Sequence, residues 1–538
     1  MLRSKILQVG QNPSCANILG GLSTQQIRLQ TSAATQINTE NVFQKEWQEA
    51  RPFNEIPNER AFRFLRNFLP GGDYHKLNSV KMMYKFHDKY GDICLMPAVF
   101  GRPPMLLTFN PADFETVFRN EGIWPDRPGS ETLAYHREKH RVDFFQGTDG
   151  LISTKGEKWG TFRSAVNPVL MQPKNAKFYI HKMCKINSEF VDRIREIRDP
   201  QTLEVPANFE DEINRWTFES VSVVALDKQL GLIKTNRNDP GAKKLFKIIT
   251  EFFYLAGQLE FKPPVWKIIK TPDFNRLMQI LDEVQNITLK YIENALERLE
   301  EDRKNGVVKT EHEKSVLEKL LSIDKRTAMV MAMDMLMAGV DTTTTTFAGI
   351  MLCLAKNPEK QQKLREELLR LMPEKNTPFT EAIHNELNYM RACIKESLRL
   401  YPLGAGNARV TQNDTVLSGY QVPKGTMVFM FAENLVKDEK HFPKADEFLP
   451  ERWIRQSKQD SKECPVSMKA TNPFIYLPFG FGPRACIGKR IVELELELGV
   501  ARIIRNFKVE FNHSTENAFK PLLFNVPNIP LRFKFTDV

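Results

Sequence analysis

Phe479-Gly-Phe-Gly-Pro-Arg-Ala-Cys-Ile-Gly488 is the most informative segment of this 538-residue chain. Glycines at 480, 482 and 488 let a loop turn tightly and approach a flat ligand. A helical stretch begins near Lys489, so the sulfur of Cys486 lies just ahead of a helix. Free N–H groups and the positive dipole end favour a thiolate there. The alternative is a glycine-rich turn around an inert cysteine, which the match at five positions (Phe, Gly, Arg, Cys, Gly) disfavours. Cys15, Cys94, Cys184, Cys353, Cys393, Cys464 and Cys486 are widely scattered, with no CxxC or CxxxC pair. That spacing argues against a disulfide framework or a zinc site and for a reducing compartment.

Two upstream segments carry further chemistry. Ala338-Gly-Val-Asp-Thr-Thr343 lies inside a long helical stretch. Gly339 weakens that helix, and Thr342 can bond back to the carbonyl of Ala338, so the local ladder can open into a groove. Asp341 and Thr342 form an acid–alcohol pair able to pass protons. Alone, this is better read as a buried helix whose threonines are satisfied by back-bonding. Lys395-Glu-Ser-Leu-Arg-Leu-Tyr-Pro402 sets Glu396 and Arg399 three apart on a helix, a commonplace pair worth a few tenths of a kcal/mol. Pro450-Glu-Arg-Trp453 follows 51 residues after Arg399.

In this order and combination, the motifs resemble those of the cytochrome P-450 family over nearly the whole chain beyond its first residues. The resemblance implies a mainly α fold with a small β region, one large helical domain over 45–538 enclosing haem b. Cys486 would be the axial ligand, its thiolate donating electron density to iron and favouring O–O cleavage. Arg484, Arg409, and Trp159 with Arg163 (the family's WxxxR) would contact the haem propionates, and Phe479 would cover the sulfur. Singly, each reads as a solvated arginine or a core aromatic; together they would offset the desolvation of two buried propionates. Asp341 and Thr342 would be the proton relay. Glu396, Arg399 and Arg452 would form a buried ion network that fixes the cysteine loop. Met335, Ala338, Leu403, Ala405 and Val526 would line an apolar substrate pocket.

Helical signals dominate elsewhere: Lys177–Ile197, Glu210–Val224, Phe274–Arg303, Glu311–Phe347, Pro358–Leu371, Thr380–Leu400 and Arg490–Asn506. Short strands are expected around Asp92–Met96, Pro104–Thr108, Gly425–Met430 and Leu531–Phe535. The pattern is one helical domain with a small sheet region, not alternating βαβ units. No internal repeat or low-complexity linker is evident.

Met1 to Thr39 contains no Asp or Glu, while Arg3, Lys5 and Arg28 are basic. Leu2, Ile6 and Val9 share a helical face. The segment reads as a mitochondrial transit peptide over 1–32, cleaved near Thr31–Ala34; a disordered tail is the alternative. The longest apolar candidate, Ala328–Val340, is 13 residues long and contains Asp334, short of the ~20 residues that span a membrane. Arg60–Leu69 could form a basic amphipathic helix with Phe62, Leu65, Phe68 and Leu69 on one side. Phe252, Phe253 and Tyr254, before Pro263-Pro-Val-Trp266, could mark a greasy entrance. Both segments can equally be core.

The net charge of +10 suits an acidic partner, or only solubility. Arg391 and Lys395 are like charges at i, i+4, which repel, and Lys489-Arg490 adds basic charge after the cysteine loop. Resemblance to the mitochondrial branch, especially insect members of family twelve, implies an adrenodoxin-like ferredoxin docked on Arg391, Lys395, Lys489 and Arg490. It also implies a location on the matrix side of the inner mitochondrial membrane. Scattered surface charge is the alternative. No flavin or nicotinamide fingerprint is evident, so electrons must arrive from outside. The leading reading is an NADPH-driven mono-oxygenase acting on lipophilic foreign compounds such as insecticides. Steroid hydroxylation of the ecdysteroid type is the alternative. A haem-thiolate isomerase is opposed by Asp341 and Thr342, since that chemistry needs no proton relay. A haem-binding sensor or carrier is opposed by the intact set of catalytic motifs.

Overall fold

The computed structural model describes residues 42–261, 264–454 and 472–538; the leader and its cleavage site lie outside them. These residues fall into two compact units. The smaller comprises 42–56 and 414–423. Its hairpin pairs Thr415–Leu417 with Tyr420–Val422, and Arg51 joins it through Arg51 N–H to Gly419 and Gln421 N–H to Arg51.

The larger unit carries every motif above. It opens with α1 (Ser79–Tyr90), β1 (Ile93–Met96) and β2 (Met105–Thr108), followed by helices α2 (Gly156–Leu170), α3 (Ile180–Ile197), α4 (Phe209–Ala225), α5 (Pro240–Phe261), α6 (Pro272–Lys304), α7 (Lys325–Lys356), α8 (Pro358–Leu371) and α9 (Asn388–Leu400). Strands β3 (Gly406–Val410) and β4 (Met427–Phe431) precede the cysteine loop, and α10 (Lys489–Asn506) follows it. The chain ends with β5 (Phe507–Glu510), a short hairpin of β6 (Phe519–Pro521) and β7 (Asn525–Pro527), and β8 (Lys534–Asp537), which pairs with β5. The four-stranded sheet runs β1-β2-β4-β3, with β2 and β4 parallel and the outer pairs antiparallel. A mainly α unit with small sheets is the expected class.

Long helices follow the sequence signals closely, because each buries one stripe and exposes the other. Two expected helices are each divided. Glu311–Phe347 becomes Val316–Leu321 and α7, because Asp324 takes an extended conformation and caps α7 by accepting from Thr327 N–H. Thr380–Leu400 becomes Glu381–Glu386 and α9, separated at Leu387. Helices α1, α2 and α5 were not foreseen. Gly156, Gly160 and Pro168 hide α2 from a propensity reading. Helix α5 buries Ile248, Ile249, Phe252, Phe253, Leu255 and Ala256, on several sides, which blurs the one-stripe signal.

Helix α7 runs unbroken through the centre, packed against α4. At Gly339 a Cβ would lie 2.9 Å from Cγ2 of Val221 on α4. Gly339 is therefore explained by close helix packing rather than by weakening: the helix stays continuous where a local opening was expected.

Candidate active site

The cysteine loop is built as its glycines suggest, with one exception. Gly480 and Gly482 take left-handed conformations, φ 72° and 65°, while Gly488 is right-handed at φ −80° and instead starts α10. Cys486 N–H donates to the Phe479 carbonyl at 2.8 Å, closing the loop on itself. The Cys486 side chain is exposed only because it faces an internal cavity, which it helps to line. Protein surrounds it otherwise, and that burial raises the thiol pKa; N–H groups of Gly488 and Lys489, with Arg163 and Arg127, pull it back down. Dipole and donors alone do not make the thiolate; a bound cation would. The cavity has a volume of about 1150 Å³. Ala338, Thr342, Leu403, Phe479, Trp159 and Arg163 are in its walls. Met335, Ala405 and Val526 are not: they pack into neighbouring core. Phe252, Phe253, Met337, Leu523 and Phe524 take their place.

Four arginines crowd one edge. Arg484 is buried, its guanidinium 3.8 Å above the Trp159 ring, and it donates to the carbonyls of Pro125, Leu151 and Thr154. Arg163 donates to the Ala485 carbonyl at 2.9 Å, while its Nε is buried without a partner. Arg127, which no sequence motif indicated, also lines the cavity. It stands alone before Pro128 in a loop, with no periodicity to mark it. Arg409 is turned differently from the expectation: its Nε donates to Glu121 at 2.5 Å, and it is not in the cavity wall. Burial, then mutual repulsion with Arg127 and Arg409, lowers Arg484 to about 9. Burial followed by Arg127 brings Arg163 to about 10. Buried cations that repel one another, one with an idle donor, suit an anionic ligand. Among the described residues no cluster of three His, Cys, Asp or Glu could hold a metal. A planar macrocycle with two carboxylates, ligated by one sulfur, fits this donor set.

On α7 the two relay candidates part company. Thr342 faces the cavity and its hydroxyl donates to the Ala338 carbonyl at 2.8 Å, as expected. Asp341, one residue earlier and so rotated by about 100°, points away from it. Asp341 Oδ2 accepts from Thr250 on α5 at 3.4 Å, and Oδ1 is buried without a partner. Burial first, and the Glu210 carboxylate second, raise Asp341 from 3.8 to about 7.

Behind the loop, Glu396 is saturated. It accepts Arg399 in two bonds at 2.8 and 3.1 Å, Arg452 Nε at 3.0 Å, Trp453 Nε1 at 2.7 Å and Leu449 N–H at 3.1 Å. The Trp453 ring lies 4.5 Å from that of Tyr476, whose hydroxyl donates to the Lys395 carbonyl at 2.9 Å. Tyr476 leads into Phe479, so the network reaches the loop through two aromatic rings.

The basic face is less free than the sequence suggested. Arg391 is paired with Glu497 at 2.8 Å, so it is not an uncompensated repulsive partner for Lys395. Lys489 and Arg490 each lie 3.8 Å from Glu493. The amphipathic segment forms a short helix, Ala61–Arg66, with Phe64 buried and Phe62, Phe68 and Leu69 exposed. Near the other candidate entrance, Tyr254, Val265, Ile268 and Ile269 are exposed, while Phe252, Phe253 and Trp266 are buried. Among the described residues no helix is long and apolar enough to cross a membrane.

Comparison with known proteins agrees with this geometry. The cytochrome P-450 family profile matches residues 60–535. Cytochrome P-450 CYP12A2 of Musca domestica is 60% identical over 93% of this chain and 94% of its own length. The probable mitochondrial cytochrome P-450 12a5 of Drosophila melanogaster is 55% identical over 96% of each chain, and the probable mitochondrial 12c1 of that fly is 48% identical over 92% and 94%. The chain belongs to the cytochrome P-450 family and is a haem b mono-oxygenase.

Proposed function

We propose that this chain oxygenates a lipophilic foreign compound in mitochondria, on the matrix side of the inner membrane, with electrons from a small acidic ferredoxin. The catalytic domain would span 45–538 behind a leader of 1–32. Cys486 would ligate the iron, Phe479 would shield the sulfur from water, and Trp159, Arg127, Arg163 and Arg484 would meet the propionates; Arg409, turned to Glu121 and out of the cavity wall, would act on them through its charge. When bound, haem supplies the activation of dioxygen and the transfer of one oxygen atom. Thr342 would present its hydroxyl oxygen to the cavity as an acceptor while its proton goes to the Ala338 carbonyl, and Asp341 would hold an exchangeable proton on the far side of α7. The observation that carries the reading is the sulfur of Cys486 facing a cavity edged by buried arginines, one of which, Arg163, keeps an idle donor.

The cavity of about 1150 Å³ has to hold the haem as well as the substrate; Ala338, Leu403, Phe252, Phe253 and Phe524 in its walls support an apolar substrate. A difference-spectrum screen of insecticides against ecdysteroids discriminates the substrate readings. Exposed Phe62, Phe68, Leu69, Ile268 and Ile269 support peripheral membrane contact. Mitochondrial relatives and the cations at 391, 395, 489 and 490 support ferredoxin docking, steered by charge and weakened by salt. Replacing Arg391 and Lys395 by Gln is expected to raise the ferredoxin concentration giving half-maximal NADPH oxidation, with substrate binding unchanged. It should also cost some stability, since loss of Arg391 leaves buried Glu497 with only His384, at 2.8 Å, as a partner. Unchanged ferredoxin dependence at low and moderate salt would move the docking site to Lys489 and Arg490.

A further inference from the structure

Glu121 belongs to none of the motifs, yet its carboxylate is buried against the arginine edge. Its side chain is 4% exposed, and Oε2 accepts from Arg409 Nε at 2.5 Å. One N–H on each terminal nitrogen of Arg409 goes to a carbonyl, of Ala408 at 2.9 Å and of Phe481 at 3.3 Å, with the guanidinium above the Phe118 ring. Glu121 and the Phe481 carbonyl therefore fix Arg409 in one orientation. The cysteine loop makes room for this carboxylate. A Cβ on Gly482 would fall 2.0 Å from Glu121 Oε1, so the left-handed glycine serves packing as well as turning. That Oε1 is buried and without a partner.

Charge gives the arrangement a purpose. Arg127, Arg163, Arg409 and Arg484 bring four positive charges to the edge. Two propionates and one thiolate would offset three of these charges, and the ferric core of the haem would add one positive charge of its own; Glu121 supplies a further negative charge to an edge that stays positive without it. Asp126 is met separately by Lys155 at 3.4 Å. Fixed charge in a buried site acts over a longer range than at the surface, because screening by water is weak.

We propose that Glu121 is a positioning residue that orients Arg409 and, by cancelling one positive charge at the cofactor edge, lowers the reduction potential of the haem. The inference rests on the reading that these arginines hold the propionates. A nearby negative charge favours the more positive ferric state over the ferrous one. Removing it must therefore shift the equilibrium toward ferrous.

The test is an equilibrium redox titration of the purified holoenzyme, followed by its absorbance. At a fixed solution potential, Glu121→Gln should show a several-fold higher ferrous-to-ferric ratio than wild type. Glu121→Asp, which keeps the charge but draws it back from Arg409, should shift the same way by less. If the Gln variant does not fold, the Asp variant decides. Wild-type potentials in both, or loss of haem from both, would make Glu121 a purely structural strut and overturn the proposal. Arg163→Gln separates the underlying reading, because it should speed haem transfer to apomyoglobin. Wild-type haem retention there would refute the arginine edge itself. Faster transfer there, with unshifted Glu121 variants, would refute only the role of Glu121.

Discussion

Two buried carboxylates, Glu396 on α9 and Asp341 on α7, lie in the same unit and have opposite environments. Glu396 is fully enclosed, and five donors from Arg399, Arg452, Trp453 and Leu449 occupy its oxygens. Asp341 is 8% exposed, with one long bond from Thr250 and one oxygen left idle. The desolvation of the first is offset by those bonds, which hold it in one geometry. The second is under-compensated, so burial lifts its pKa to about 7 and both charge states are accessible near neutrality. A saturated buried charge marks structure; an unsaturated one marks a place where protons can move.

The largest expected effect comes from breaking the saturated site. Glu396→Gln leaves Arg399 and Arg452 buried without their counter-charge, at a cost of about 3–5 kcal/mol. That is a large share of the stability of a typical domain. The variant should be recovered with little haem and a collapsed unfolding midpoint by urea titration. Near-wild-type stability would show that the network is dispensable and that the contrast drawn above is false.

Asp341→Asn should do the reverse, keeping fold and haem while slowing turnover. The sign of its pH dependence follows from the raised pKa. Folded Asp341 holds its proton up to about pH 7, whereas the unfolded carboxyl loses it near 3.8. Its contribution to stability is therefore present at low pH and is lost as pH rises toward 7. A step that needs the protonated acid should likewise slow as pH climbs through about 7. The turnover–pH profile of Asp341→Asn should lack that descending limb. An unchanged rate and profile would remove Asp341 from proton transfer.

Thr342→Ala sharpens the contrast at smaller cost. The hydroxyl bonds only to the Ala338 carbonyl within α7, so stability should move by about 1 kcal/mol or less. NADPH oxidation should continue, with more hydrogen peroxide released per product. Unchanged coupling would reduce Thr342 to packing.

What the sequence made legible was local. Phe479–Gly488 is one loop, and Glu396 and Arg399 lie on one turn of one helix, so each motif stands whole in the sequence, and the family resemblance supplies its meaning. The long amphipathic helices were legible because their pattern is local too. What it hid depends on distant partners. Arg391 looked like a free cation because Glu497 lies 106 positions away. Arg127 and Glu121 are lone charges in loops, and their value comes only from being brought to the same buried edge. Asp341 and Thr342 read as a pair because they are adjacent, but a helix turns adjacent residues to different faces, and only Thr342 meets the cavity. Gly339 read as a weak point because propensity ignores the neighbouring helix that needs the space.

The central claim is that Cys486 is the sulfur ligand of the haem. Cys486→His supplies a neutral nitrogen from the same loop, and the ferrous carbon monoxide difference spectrum reports the ligand directly. The variant should retain some haem but lose the strongly red-shifted band that an electron-rich thiolate produces. Persistence of that band in Cys486→His would contradict the assignment.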